Sequence, residues 1–97
     1  MMNTYKYEYT DTFSGEANYI WVKRGKVTMP CLTHYGYTGS ADGSYSKANK
    51  VFKRELVKRV KAELGLTGVR ARRETWGETV VLRFSGTILF IEYEETN

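Results

Sequence analysis

The clearest chemical pattern in the sequence is a set of five cations within residues 47–64. They are spaced by three, four, four and three residues: Lys47, Lys50, Arg54, Lys58 and Lys61. At 100° per residue, this spacing places all five within about 80° of one face of an α-helix. Glu55 and Glu63 lie outside that sector, so intrahelical ion pairs neutralise little of its charge. The pattern predicts a basic stripe that binds a polyanion; the alternative is a solvated face that only keeps the protein soluble.

A second basic group lies downstream, in a predicted strand over residues 69–76. Arg70 and Arg72 point to one side of this strand, and Arg73 follows them. Trp76 continues the side of Arg70 and Arg72, and arginine beside an exposed aromatic ring suits phosphate or base-stacking contacts. Cross-strand ion pairs are the alternative. Three carboxylates are available for them: Glu78, Glu92 and Glu94.

A third basic group follows a tryptophan. Trp21 precedes Lys23, Arg24 and Lys26, and Gly25 lies between the last two. The Arg24-Gly25 pair is either a tight turn, whose cationic tip could enter a groove, or a glycine bulge inside one long strand running to residue 30. Trp21 itself fits a core position equally well. Lys23 and Arg24 are therefore further candidates for nucleic-acid contacts.

An aromatic hairpin offers a different kind of surface. Tyr5, Tyr7 and Tyr9 alternate with polar residues, which is typical of a strand with one aromatic and one solvated face. Tyr19 and Trp21 lie in the strand predicted next. Aromatic side chains dominate the energetics of protein interfaces. These five residues are thus the candidate surface for binding a protein instead of a nucleic acid.

Signatures of catalysis and of metal binding are weak. Cys31 and His34 are three residues apart, but a structural zinc site needs four ligands and the chain has no other cysteine or histidine. A Cys–His nucleophile pair also needs a third group to orient the histidine. Gly43 is followed by Ser44-Tyr45 and not by the Lys-Ser or Lys-Thr of a P-loop. We predict a non-enzymatic protein without cofactor or metal, and the enzyme alternative would use Cys31 and His34.

The elements that must position these residues follow from periodicity and turn chemistry. Residues 5–10 and 18–22 form a hairpin across a turn at 11–17, and residues 31–46 form a long loop. An amphipathic helix covers residues 47–64 and ends at Gly65. Strands at 69–76, 79–84 and 87–93 follow. The last is apolar on both faces, which places it in the middle of the sheet or beneath the helix, and the acidic tail 92–97 is expected to fray. The prediction is an α+β fold of order ββ(β)αβββ, with one helix packed on an antiparallel sheet of about five strands.

Length and composition bound the protein class. The 97 residues favour a single domain, and 15 Lys and Arg against 11 Asp and Glu give a net charge of +4. A lone cysteine excludes an internal disulfide. No apolar run has the length of a membrane span, and the N-terminal residues lack the apolar core of a signal peptide. A cytoplasmic protein without membrane contact is expected, and homodimerisation is left open.

Two segments resemble known sequences. Residues 11–24, DTFSGEANYIWVKR, and residues 65–70, GLTGVR, look like stretches of small uncharacterised phage and prophage proteins. The resemblance implies an accessory protein of a phage or mobile element acting in the host cytoplasm, and it carries no functional residues. The leading hypothesis is binding to nucleic acid or to a nucleic-acid-handling complex through the basic stripe. The alternative is an anti-CRISPR-like inhibitor that binds a host-defence protein through the aromatic hairpin.

Overall fold

The chain folds into one five-stranded antiparallel sheet with a helix across one face. A computed structural model describes residues 2–14, 16–38 and 44–96. In chain order the elements are β1 (Met2–Phe13), β2 (Glu16–Pro30), a 3-10 turn (Leu32–Tyr35), α1 (Ser44–Glu63), β3 (Arg72–Trp76), β4 (Thr79–Arg83) and β5 (Thr87–Thr96). The strand order across the sheet is β2-β1-β5-β4-β3. The predicted α+β class with five strands and one helix is confirmed.

The first hairpin is longer than the sequence pattern predicts. Its strands reach Phe13 and Glu16, and Ser14, which follows β1, has a left-handed φ of 54°. Register runs without a break from Met2↔Pro30 to Thr10↔Val22. Neither a turn nor a bulge therefore forms at Arg24-Gly25, whereas the long strand running to residue 30, which the second alternative included, is present. Gly25 instead pairs with Tyr7, whose ring occupies the space that a Cβ atom at position 25 would need.

The irregularity in this hairpin lies nearer its turn. Register passes from Thr10↔Val22 to Thr12↔Ala17, so the four residues from Asn18 to Trp21 oppose Asp11 alone. We call this the hairpin bulge, and we call residues 11–22 the hairpin end. A bulge of this kind takes residues out of the ladder and re-aims their side chains.

One face of the sheet packs against α1, and we call the other the open face. Alternation puts Tyr5, Tyr7 and Tyr9 on the helix side, where they contact the core. The Tyr5 and Phe52 ring centroids are 5.4 Å apart. The helix buries four residues at helical spacing: Ala48, Phe52, Leu56 and Val60. The aromatic side of β1 is therefore a packing surface.

The helix ends where the glycine predicts. Gly65 has a φ of 72°, its amide donates to the Ala62 carbonyl at 3.2 Å, and the Leu66 amide donates to the Lys61 carbonyl at 2.7 Å. This pairing satisfies carbonyls that the last helical turn leaves free. Upstream, the predicted loop contains the 3-10 turn, and its residues 39–43 lie outside the described part of the chain.

Strand β5 is central, one of the two positions that its apolar faces predict, with β1 on one side and β4 on the other. Two expectations about strand ends are wrong. Residues 92–96 of the acidic tail belong to β5 and do not fray: Thr96 pairs with Asn3, and Glu94 lies 2.9 Å from the Lys26 ammonium. Residue 97 lies outside the described part of the chain. Strand β3 begins at Arg72, so Arg70 precedes it.

Candidate nucleic-acid interface

Four of the five predicted stripe residues form an exposed row along α1. They lie on the side opposite the buried residues, and we call them the exposed stripe: Lys47, Lys50, Arg54 and Lys58. None of them forms an ion pair with any carboxylate among residues 2–14, 16–38 and 44–96. At about 1.5 Å of rise per residue, the row extends roughly 16 Å along the helix axis. It is a straight line of free positive charge.

Lys61 differs from the other four. It is half-buried, and its Nζ donates a hydrogen bond to the Val69 backbone carbonyl at 2.7 Å. A cation in the last helical turn also interacts favourably with the helix dipole. Lys61 therefore joins α1 to the segment that leads into β3, and a ligand of the exposed stripe would have to compete with this bond.

Of the three arginines before and within β3, Arg72 forms an ion pair, whereas Arg70 and Arg73 are in none of the ion pairs among the described residues. Arg72 Nη2 lies 3.2 Å from Glu74 Oε1, and Arg83 Nε lies 2.9 Å from Glu74 Oε2. The hydrogen bond from Arg83 is the main reason that the pKa of Glu74 is lowered. The partner is thus Glu74 and none of the three carboxylates named from sequence. Arg70 and Arg73 are exposed, and Arg73 pairs with Leu82, on the helix side of the sheet.

The open face carries charges that are already paired. Among the described residues, four ion pairs join different strands on this face: Lys6–Glu92 at 3.2 Å, Arg24–Glu8 at 2.8 Å, Lys26–Glu94 at 2.9 Å and Arg83–Glu74 at 2.9 Å. Arg24 therefore has a carboxylate partner, and its hydrogen bond lowers the pKa of Glu8. Lys23 is exposed and pairs with Tyr9, so it points to the helix side. The two residues proposed together from sequence lie on opposite faces.

A groove of about 580 Å³ lies on the open face. Tyr19 and Arg24 from β2 line one side and Trp76 from β3 the other, with Phe90 between them. The Trp76 and Phe90 ring centroids are 5.9 Å apart, and the Arg83 guanidinium lies 5.7 Å from the Trp76 ring centre. Rings are available here for stacking. Each lining cation, however, is paired with a carboxylate, which removes most of the attraction for a polyanion.

The five aromatic residues proposed for protein binding do not form one surface. Tyr9 is buried, and Tyr5 and Tyr7 are half-buried against the core. Burial raises the pKa of both Tyr5 and Tyr7. Tyr19 and Trp21 are exposed, in the hairpin bulge.

Cys31 and His34 have separate neighbours. Cys31 Sγ lies 2.9 Å from Thr33 Oγ1, and this hydrogen bond lowers the pKa of the thiol. The His34 ring contacts the Tyr35 ring edge-on, with centroids 5.1 Å apart. Across the described residues, no group of three His, Cys, Asp or Glu side chains could hold a metal ion.

Sequence reasoning missed two exposed side chains at the hairpin end, Phe13 and Ile20. Their exposed fractions are 72% and 78%, the two highest among the exposed large hydrophobic residues of the described chain. A signal existed, since Phe13 is an apolar residue between the turn formers Asp11 and Ser14. For Ile20 there was none, because its exposure depends on the bulge.

Comparison with known proteins yields no relative: no family model, no curated protein and no solved structure matches the chain. Among the described helices, none combines the length and the apolar character that crossing a bilayer requires.

Proposed function

We propose that the chain is a non-enzymatic accessory protein that binds nucleic acid, alone or within a nucleic-acid-handling complex, through the exposed stripe. The observation that carries this proposal is the row of Lys47, Lys50, Arg54 and Lys58, exposed along one helix and without a carboxylate partner among the described residues. Like charges at successive helical turns repel each other, and a polyanion relieves that repulsion.

Spacing supports phosphate as the group that is bound. Successive members of the exposed stripe are separated by three or four residues, which is about 4.5 to 6 Å along the helix axis. This is comparable to the distance between phosphates along one nucleic-acid strand. Three of the four residues are lysines, whose ammonium groups act as point charges, and phosphate contacts fix position without reading sequence. The proposed binding is therefore independent of base sequence.

The contrast between the two sides of the molecule also supports the proposal. Lys6, Arg24 and Lys26 on the open face each have a carboxylate within 3.2 Å, whereas the exposed stripe has none among the described residues. Over the ranges that the structure describes, most cations without a carboxylate partner lie on α1, and Lys23, Arg70 and Arg73 are the others. The setting that we propose, a phage or mobile element, comes from the sequence resemblance alone.

The test measures binding of fluorescein-labelled 20-nucleotide single strands and duplexes by fluorescence anisotropy. Lys50→Gln with Arg54→Gln removes two stripe charges, and Lys6→Gln with Arg73→Gln removes two charges elsewhere. We expect the stripe variant to bind at least tenfold more weakly and the control variant to stay within about twofold of the wild type. Equal losses in the two variants would show that net charge, and not the stripe, drives binding.

The alternative function, inhibition of a host-defence protein through the aromatic hairpin, has a narrower basis. It was proposed for five aromatic residues, and three of these pack against the core. Binding that persists at high salt and is unaffected by the stripe substitutions would favour it over nucleic-acid binding.

A further inference from the structure

The hairpin end displays apolar side chains that the fold leaves without cover. Phe13 lies beside the turn and Ile20 lies in the hairpin bulge, with about three quarters of each side chain exposed. Tyr19 and Trp21, on either side of Ile20, are also exposed. Several large apolar side chains exposed at one end of a hairpin are typical of a contact surface for another molecule. The exposed stripe has no part in this feature.

The bulge is held in a fixed shape by side chains of β1. Asp11 accepts hydrogen bonds from the Ile20 amide at 3.2 Å and from Asn18 Nδ2 at 3.1 Å. Thr10 Oγ1 accepts from the Tyr19 amide at 3.1 Å and donates to the Trp21 carbonyl at 2.9 Å. Every residue from Asn18 to Trp21 is thus bonded to Thr10 or Asp11.

These bonds hold a conformation that tyrosine seldom adopts. Tyr19 has a φ of 58°, in the left-handed region where a side chain other than glycine's is strained. Its ring lines the groove on the open face beside Glu8. A hydrogen bond to Glu8 holds it there and raises the pKa of the Tyr19 hydroxyl. Trp21 packs against Tyr9 with ring centroids 5.4 Å apart. With both neighbours fixed, Ile20 projects from a rigid base, which lowers the entropy lost on binding.

Charge at the hairpin end is opposite in sign to that of the whole protein. Residues 11–22 contain Asp11 and Glu16 and no lysine or arginine, whereas the chain carries a net charge of +4. A partner complementary to this end therefore has an apolar pocket bordered by cationic side chains. The same acidic character disfavours both nucleic acid and an anionic lipid surface, so a protein is the occupant that the charges select.

We propose that the hairpin end is a preformed docking element that inserts Ile20 and Phe13 into an apolar, basic-rimmed pocket of a protein partner. The chain then has two binding surfaces, with the exposed stripe serving the nucleic acid and the hairpin end serving the protein. Docking at the hairpin end does not depend on nucleic-acid binding and can be tested without it.

The first stage of the test locates the partner. The chain carries the photo-reactive residue p-benzoylphenylalanine in place of Ile20, or in place of the exposed Thr75 on the opposite edge of the sheet as a control, and is irradiated in a lysate of the cells that express it. We expect one protein to cross-link at position 20 and not at position 75. Absence of a position-specific cross-link overturns the proposal, and so does a cross-link to a second copy of this chain alone.

The second stage measures affinity between the purified partner and purified variants by isothermal titration calorimetry. Ile20→Ser and Phe13→Ser should each weaken binding about tenfold or more, because each removes a buried apolar anchor. Asp11→Ala should also weaken it although both anchors remain, because the bulge loses its hydrogen bonds. Circular dichroism melts establish that each variant is folded, and Thr75→Ala should bind as the wild type does.

Three results in this stage would overturn the proposal. One is unchanged affinity for both Ile20→Ser and Phe13→Ser. Another is a cross-linked partner peptide that lies in no apolar pocket with lysine or arginine at its rim. The last is Ile20-dependent sedimentation of the chain with vesicles of phosphatidylcholine and phosphatidylserine, which would identify a lipid surface as the occupant. Lys50→Gln with Arg54→Gln should leave partner affinity unchanged, so failure of docking and failure of nucleic-acid binding are distinguishable.

Discussion

The proposed nucleic-acid binding should depend on salt concentration in a way set by the number of cations in the exposed stripe. Four exposed stripe residues neutralising four phosphates give a slope of log K against log salt of about −3.6 on a duplex and about −2.8 on a single strand. Between 50 and 200 mM salt, affinity should therefore fall about 150-fold on the duplex and about 50-fold on the single strand. Lys61 is not counted, because its Nζ is bonded to the Val69 carbonyl.

The assay titrates labelled 20-nucleotide probes by fluorescence anisotropy at five salt concentrations. Lys50→Gln with Arg54→Gln leaves two cations in the exposed stripe and should halve the duplex slope to about −1.8, so that affinity falls only about 12-fold over the same range. Lys61→Gln should keep the wild-type slope. This substitution tests whether the stripe has five contributing cations, as the sequence predicts, or four, as the structure indicates.

Three outcomes would refute the reasoning. A wild-type slope near zero would mean that phosphate neutralisation is not the source of affinity. An unchanged slope in the Lys50→Gln and Arg54→Gln variant would place the contacts elsewhere on the surface. A slope that falls by about one unit in Lys61→Gln would show that the Val69 hydrogen bond gives way to phosphate, and the count of four would be wrong.

The remaining predictions concern stability. Gly25→Ala should destabilise the protein by about 1 kcal/mol in urea unfolding, because the new Cβ displaces the Tyr7 ring. In a Tyr7→Ala background the same substitution should be neutral or stabilising. Equal changes in the free energy of unfolding in both backgrounds would exclude the clash. The Arg24 hydrogen bond lowers the pKa of Glu8 below its ordinary value of 4.5. The ion pair therefore stabilises the folded state fully above pH 4.5, and this stabilisation is lost as the pH falls through the lowered pKa. Melting temperatures of Glu8→Gln should therefore fall less than those of the wild type between pH 6 and 3, and parallel curves would contradict the assignment. Leu56→Ala should cost about 2 to 5 kcal/mol in urea unfolding because Leu56 is 2% exposed, and a loss below about 1 kcal/mol would mean that the helix packs differently.

Much of the fold could be predicted because its signals are local. The stripe and the buried positions of α1 repeat at helical spacing, Gly65 marks the helix end, and Ser85-Gly86 marks the last hairpin, where the Phe84 amide donates to the Thr87 carbonyl at 2.9 Å. Period-2 alternation correctly placed Tyr5, Tyr7 and Tyr9 on one side of β1. None of these features needs a partner distant in the sequence.

The errors in strand length have a common origin. Residues 92–96 look like a solvated acidic tail until Glu94 meets Lys26, a residue 68 positions earlier in the chain. Likewise, Asp11 looks like a turn former, and only the register between β1 and β2 shows that it binds the bulge residues Asn18 and Ile20. Local propensity describes what a residue prefers on its own, and it does not include pairing between strands.

By itself, the sequence determined the α+β class, the apolar character of both faces of β5 and the existence of a cationic row along the helix, because each depends on periodicity within one segment. Only the tertiary structure decided which charges are free. It removed Lys61 from the row through the Val69 carbonyl, paired Arg24 with Glu8 and Arg72 with Glu74, covered the tyrosines of β1 and left Ile20 uncovered. Whether a side chain is free to bind another molecule depends on which groups from other elements lie within hydrogen-bonding or van der Waals distance of it. Folding sets those distances.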